Sequence, residues 1–125
     1  MNHTAEGIAI LLWAADPSVP ARLATPFFHA AAAAAMDLPV EIYFTAASVQ
    51  LLSPGVAAAL RPGAHPKTVL DSMREAVQHG AVLLACSDAL AAHGVTALIP
   101  ECTRRGGAVQ FMARAADLRW RTLVF

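Results

Sequence analysis

The sequence predicts an α/β fold: a three-layer α/β/α sandwich built on a mainly parallel five-stranded sheet, in a single domain spanning residues 1–125. Three observations carry this. Short apolar runs without strict alternation, residues 7–13 and 81–85 foremost, have the composition of strands buried on both faces. They are separated by stretches of helical character, and strands that alternate with helices imply parallel crossovers. A chain of 125 residues also fits one domain, able to bury roughly two thirds of its unfolded surface.

Each element has its own signal. Gly7-Ile8-Ala9-Ile10-Leu11-Leu12-Trp13 reads as the first, central strand, and Asp16-Pro17-Ser18 marks the loop that leaves its carboxyl end. Residues 21–36 form the longest helix candidate, with Leu23, Phe27, Ala30 and Ala34 on one face and Pro26 at a kink or at a true start one turn later. Six alanines from Ala30 to Ala35 leave this helix no polar side, so its second face is expected to pack on a neighbouring subunit. After Asp37-Leu38-Pro39 comes a second strand, Val40-Glu41-Ile42-Tyr43-Phe44. Glu41 is out of character there: it is an edge carboxylate in solvent, the commoner case, or a buried acid that needs a partner.

Residues 45–52 suggest a short helix capped by Thr45, and residues 56–66, with Pro62-Gly63 and His65-Pro66, are the least regular part of the chain. Residues 67–79 form an amphipathic helix with Val69, Leu70, Met73, Ala76 and Val77 inward. Strand 81–85 then ends at Cys86, and Ser87-Asp88 opens a two-turn helix that Gly94 closes. Residues 95–99 read as a fourth strand and 100–107 as a loop. A last helix is expected over 108–117, with Val109, Met112 and Phe111 facing in, and a terminal strand over 121–125.

Composition narrows the function. Apolar residues make up 57% of the chain and charged residues 14%, against ~25% charged in an average soluble domain. Little polar surface is available to cover a monomer, which predicts a homo-oligomer with apolar interfaces. Nine basic and nine acidic residues give no net charge, which removes the electrostatic case for direct nucleic-acid binding or an anionic membrane surface. The longest apolar stretch, residues 27–36, contains His29 and is far short of the ~20 residues of a membrane span. The start, Met1 to Glu6, has no basic region leading into an apolar one, so no signal peptide is expected and the predicted location is cytoplasmic.

The two cysteines, Cys86 and Cys102, are then expected to be reduced thiols. Cys86 lies where a strand hands over to a helix. Open parallel sheets place their ligand crevices at such strand ends, and helix N-termini favour thiolate over thiol. The competing reading is an inert core cysteine. With strands at 81–85 and 95–99 as neighbours, Cys86 and Cys102 would both follow carboxyl ends ~5 Å apart across the sheet. The pair would then suit a sulfur relay, a resolving step or a thiol peroxidase. Arg104 and Arg105 could lower the pKa of Cys102 or bind an anionic sulfur donor; solvated arginines are the plainer alternative.

Other chemistries lack a motif. The five histidines show no metal-binding spacing, there is no CxxC, and His93 is about two turns beyond Cys86, too far for a dyad. Serine-hydrolase, nucleotide and dinucleotide motifs are missing as well, so no metal and no cofactor are expected. Arg114, Arg119, Trp120 and Arg121 form a small basic and aromatic group whose plainer reading is a helix end packed on the sheet.

Leu38-Pro39-Val40-Glu41-Ile42-Tyr43-Phe44-Thr45 after an alanine-rich helix, Gly80-Ala81-Val82-Leu83-Leu84-Ala85-Cys86, Leu98-Ile99-Pro100 and the closing Leu123-Val124-Phe125 together resemble the DsrE/DsrF-like family. The resemblance spans nearly the whole chain. It implies a compact α/β/α domain with a five-stranded parallel sheet, assembled into trimers or hexamers. It further implies that a cysteine matched by Cys86 carries a persulfide between sulfur donor and acceptor proteins. Ser87-Asp88-Ala89 lacks the second cysteine or glycine found in some branches. The predicted function is therefore sulfane-sulfur transfer on Cys86, with Cys102 assisting. The alternative is a non-catalytic oligomeric module that binds a small ligand or a partner protein, with Cys86 structural.

Overall fold

The computed structural model describes residues 4–125; Met1, Asn2 and His3, used above for the reading of the chain start and of the histidines, lie outside the described residues. Five strands form one sheet: β1 (Gly7–Leu12), β2 (Val40–Phe44), β3 (Val82–Ala85), β4 (Cys102–Arg105) and β5 (Trp120–Val124). Their order is β4-β3-β2-β1-β5, and every neighbouring pair is parallel. The α-helices are α1 (Thr25–Ala35), α2 (Val69–Gln78), α3 (Ser87–Ala92) and α4 (Ala108–Ala115).

Strand alternation sorts the side chains into two layers. Ile10, Leu12, Val40, Ile42, Phe44, Leu83 and Ala85 face α1, α2 and α3 and form the main core, where Phe27 of α1 stacks on Phe44 with ring centroids 6.1 Å apart. Ala9, Tyr43 and Leu84 point the other way, where Phe111 of α4 covers them. One two-turn helix thus covers the whole second layer, which leaves room beside it at the carboxyl ends of the strands.

Several details bear on the sequence reading. Helix α1 starts at Thr25, with Pro26 in its first turn, as the later of the two alternatives has it. Phe28 and Met36 on its outer side are exposed. The turn over Ala46–Leu52 is 3-10, and Thr45 and Ser48 form a capping box at its start, in which the Ser48 hydroxyl accepts from Thr45 N–H at 3.0 Å; that hydroxyl also lies 2.7 Å from Leu12 O.

Residues 95–99 are not a strand. Their donors are taken by the helical layer, Val95 N–H by Leu90 O at 2.9 Å and Ile99 N–H by Leu52 O at 2.8 Å. The fourth strand is instead Cys-Thr-Arg-Arg, inside the stretch expected to be a loop. The expected inward set of α4 also changes: Phe111 is buried, whereas Val109 is 86% and Met112 58% exposed. Among the described residues no helix is long and apolar enough to cross a membrane.

Candidate functional site

Strand β3 delivers Cys86 to the carboxyl edge of the sheet. Its N–H continues the ladder to Phe44 O at 3.0 Å, and its carbonyl accepts the first bond of α3 from Leu90 N–H at 3.0 Å. Cys86 is therefore the N-cap residue of α3, in extended conformation, and its side chain makes no capping bond. The half-buried thiol opens on a cavity of about 590 Å3 on the α4 side.

The cavity wall explains why two glycines precede α4. Gly106 N–H bonds to Ala85 O at 3.0 Å, drawing the β4–α4 connection against the end of β3. A Cβ on Gly106 would meet Gln110 Oε1 at 2.5 Å, Leu84 Cδ2 at 2.8 Å and Tyr43 Cε2 at 3.2 Å, so only a bare backbone fits there. A Cβ on Gly107 would stand 4.0 Å from Cys86 Sγ. The chain thus passes over the sulfur without a side chain between them. Tyr43, Phe111, Met112 and Leu11 supply the apolar wall, and Thr45, Ser87, Asp88 and Gln110 its polar atoms. The Tyr43 and Phe111 rings meet edge to face, 5.3 Å apart at 80°.

Cys102 is elsewhere. With β4 beginning at Cys102 and Cys102 paired to Leu83, its sulfur lies at the opposite end of the strand pair from Cys86. Three residues of strand separate them, about 10 Å. The expectation that the two sulfurs meet is overturned, because it rested on a strand at 95–99. The Cys102 thiol is buried and faces the carbonyls of Leu83 and Arg104, both 3.7 Å away. Burial pushes its pKa up, although the Arg104 backbone contact and the Arg105 charge act the other way.

Arg104 pairs with Leu84 and Arg105 with Ala85, so the two arginines leave the sheet on opposite faces. Arg104 stands on the Tyr43 and Glu41 side, where its charge reaches the Glu41 carboxylate. Arg105 borders the cavity, and its charge also acts to lower the Cys102 pKa. Neither forms an ion pair among the described residues.

Glu41, the strand acid of uncertain role, is buried in the middle of the sheet rather than solvated at an edge. Arg114 of α4 holds it with Nε–H to Oε1 at 2.8 Å and Nη2–H to Oε2 at 3.0 Å, and Tyr43 O–H donates to Oε1 at 2.8 Å. Burial pushes the Glu41 carboxyl up, but the Arg114 and Tyr43 bonds outweigh it and hold the pKa below its usual value. The guanidinium of Arg114 also lies 4.0 Å from the centroid of the Trp120 ring. Arg119 instead pairs with Asp117, so Arg114 and Arg119 of the basic and aromatic group are held by intramolecular partners.

The sequence reading did not single out Tyr43, Gly106, Gly107, Phe111 or Gln110 as cavity residues. The pair of glycines just before a helix was the visible signal. Among the described residues no group of three His, Cys, Asp or Glu side chains is placed to hold a metal.

Residues 9–125 match the DsrE/DsrF-like family, and the chain belongs to it. The family is associated in general with sulfur relay. In structure the chain is similar to the ychN protein from E. coli, with a TM-score of 0.76 at 15% identity over 96% of this chain and 99% of that one. It is also similar to a conserved protein of unknown function, BT1422, from Bacteroides thetaiotaomicron, with a TM-score of 0.65 at 18% identity over 94% of each chain. No curated protein matches in sequence.

Proposed function

We propose that the protein is a sulfur carrier in which Cys86 accepts a sulfane sulfur as a persulfide and passes it to an acceptor. The observation that carries this reading is the Cys86 thiol itself: half-buried, free of capping duty and open to the cavity at the carboxyl edge of the sheet. A core cysteine kept for packing would be enclosed, as Cys102 is. The bare Gly107 backbone beside the sulfur leaves space for one more sulfur atom and for the molecule that brings or takes it. Cys86 alone carries sulfur, and Cys102 serves the β3–β4 packing.

The carrier works as a homo-oligomer, a trimer or hexamer. Leu118 is 98% exposed, and Val109, Met112 and Val124 are exposed on neighbouring elements, leaving an apolar margin around α4 and β5. Sedimentation equilibrium of the wild-type chain tests this; a monomer at micromolar concentration would remove the assembly. The rival reading, a binding module with a structural Cys86, draws on the same apolar cavity and differs in making the thiol inert.

Mass spectrometry of the protein after incubation with a sulfane-sulfur donor, with alkylation to preserve a persulfide, separates the two. One or more added sulfur atoms on the Cys86 peptide, absent in Cys86→Ser with the fold intact, is the expected result. A Cys86 that stays unmodified and resists alkylation until denaturation leaves the binding module.

A further inference from the structure

We infer that the molecule loading Cys86 is a low-molecular-weight organic persulfide whose organic body is uncharged and apolar; this rests on the carrier reading above. Three features of the cavity carry the inference. Its volume, about 590 Å3, is far more than one sulfur atom fills and lies within the range of small-molecule sites, roughly 300–1,000 Å3. Its walls are apolar, formed by Leu11, Tyr43, Phe111 and Met112, with the Gln110 amide and the Thr45 and Ser87 hydroxyls as uncharged polar anchors. Its two charged lining residues, Asp88 and Arg105, are opposite in sign, so the wall offers no net charge that would select an ion. An inorganic dianion such as thiosulfate would meet one cation, Arg105, and one carboxylate, Asp88, in an otherwise apolar space, so its lost hydration is only partly returned. An apolar body gains on the same transfer.

The step needs no oxidant. The Cys86 thiolate attacks the outer sulfur of R–S–S–H, forming the Cys86 S–S bond while the donor's S–S bond breaks. R–S⁻ departs and takes up the proton that Cys86 released, leaving Cys86–S–S–H and R–SH. The departing thiol keeps its apolar body in the cavity until the persulfide is made.

The test uses three benzyl persulfides of equal reactive chemistry: unsubstituted, para-carboxylate and para-trimethylammonium. Loading of Cys86 is followed by mass spectrometry and normalised to each donor's reaction with free glutathione. The unsubstituted donor is expected to load at least ~10-fold faster than either charged one, about 1.4 kcal/mol. Met112→Glu, which puts a carboxylate into the cavity wall, is expected to abolish the preference over the trimethylammonium donor and deepen that over the carboxylate donor, with the urea midpoint and sedimentation read alongside to separate loss of fold or assembly. Equal loading by all three, or loading only from a persulfidated protein, overturns the inference and leaves the carrier reading standing. Calorimetry of benzyl methyl sulfide with the Cys86→Ser protein tests the pocket without the chemistry. Binding weakened by Met112→Glu, with no donor loading Cys86, keeps the ligand class and overturns the carrier; no binding there overturns the ligand class.

Discussion

Arg114 grips Glu41 through two parallel bonds of 2.8 and 3.0 Å, joining α4 to the central strand β2 across 73 residues of sequence. Among the described residues α4 is the helix that covers this side of the sheet, so the fork and the Arg114–Trp120 stack, together with Phe111 packing, hold the second layer. Gly107 caps α4, and Gln110, Phe111 and Met112 of that helix line the cavity beside Cys86, so the ion pair bears on the site although neither residue lines the cavity.

Removing the guanidinium is expected to reverse the pH response of stability. In the wild type, Glu41 has a folded-state pKa below its ordinary value. Its contribution is therefore present above the ordinary carboxylate pKa and lost as pH falls through the depressed one. In Arg114→Met the burial of Glu41 is no longer offset by the fork, so its pKa rises and stability is lost as pH increases instead. We expect a cost of about 2–3 kcal/mol at pH 7, less than for a fully enclosed pair because Arg114 is partly exposed, shrinking markedly at pH 4. Urea unfolding at the two pH values reads this; an equal cost at both would mean the carboxylate is not what Arg114 stabilises.

Tyr43 offers an independent reading of the same network. Burial pushes its hydroxyl up to about 12, helped by the hydrogen bond to Glu41 and the repulsion of that carboxylate. It is the single tyrosine of the chain, so phenolate absorbance reports this site alone. A native titration well above the unfolded value near 10 is expected, with about a tenth of the phenolate formed at pH 11. The folded pKa is raised, so the contribution is full below about pH 10 and lost as pH rises through about 12. Tyr43→Phe is expected to cost about 1–2 kcal/mol at pH 7. A native midpoint near 10 would put the hydroxyl in solvent.

What the sequence revealed depended on whether a signal was local. Strands β1, β2 and β3 are buried runs; apolar continuity found β1 and β3 and β-branched and aromatic content found β2, each within a residue or two. Cys86 at the strand-to-helix junction was legible because Ser87-Asp88 and Gly94 mark both ends of α3, with Gly94 at φ 64°. Strand β4 was missed because it is an edge strand whose last three residues are exposed, so Thr103, Arg104 and Arg105 have no apolar signature. Residues 95–99 carried that signature for another reason: Ile99 is buried against the helical layer. Glu41 in an apolar strand showed that a buried acid could need a partner, but that the partner is Arg114 had no local trace, since only the packing of α4 on the sheet brings the two together.

The two glycines before α4 are expected to respond differently to the same added methyl. In Gly106→Ala the Gln110 side chain can swing away, but Leu84 and Tyr43 are held in the packed layer and cannot both retreat. Overpacking there is expected to cost about 1–3 kcal/mol. In Gly107→Ala the methyl reaches ordinary contact distance from Cys86 Sγ, so stability should change little while alkylation of Cys86 slows. Urea midpoints together with iodoacetamide rates make the comparison. Equal stability losses in both variants would show that the β4–α4 connection, rather than the contact at Gly106, sets the requirement.

The cysteines should separate by more than accessibility. Native alkylation is expected to label Cys86 at least ~100-fold faster than Cys102, because the buried Cys102 thiol is reached only when the β3–β4 edge opens. Mild peroxide should then leave no bond between them. A disulfide needs Cα atoms within about 7 Å, whereas Cys102 is paired with Leu83, about 10 Å along the strand from Cys86. Peptide mapping after peroxide treatment would show oxidised or intermolecularly linked Cys86 and an unmodified Cys102. An intramolecular link formed in the folded state would require β4 to slide by about three residues against β3. It would restore a thiol-peroxidase role that the observed register does not support.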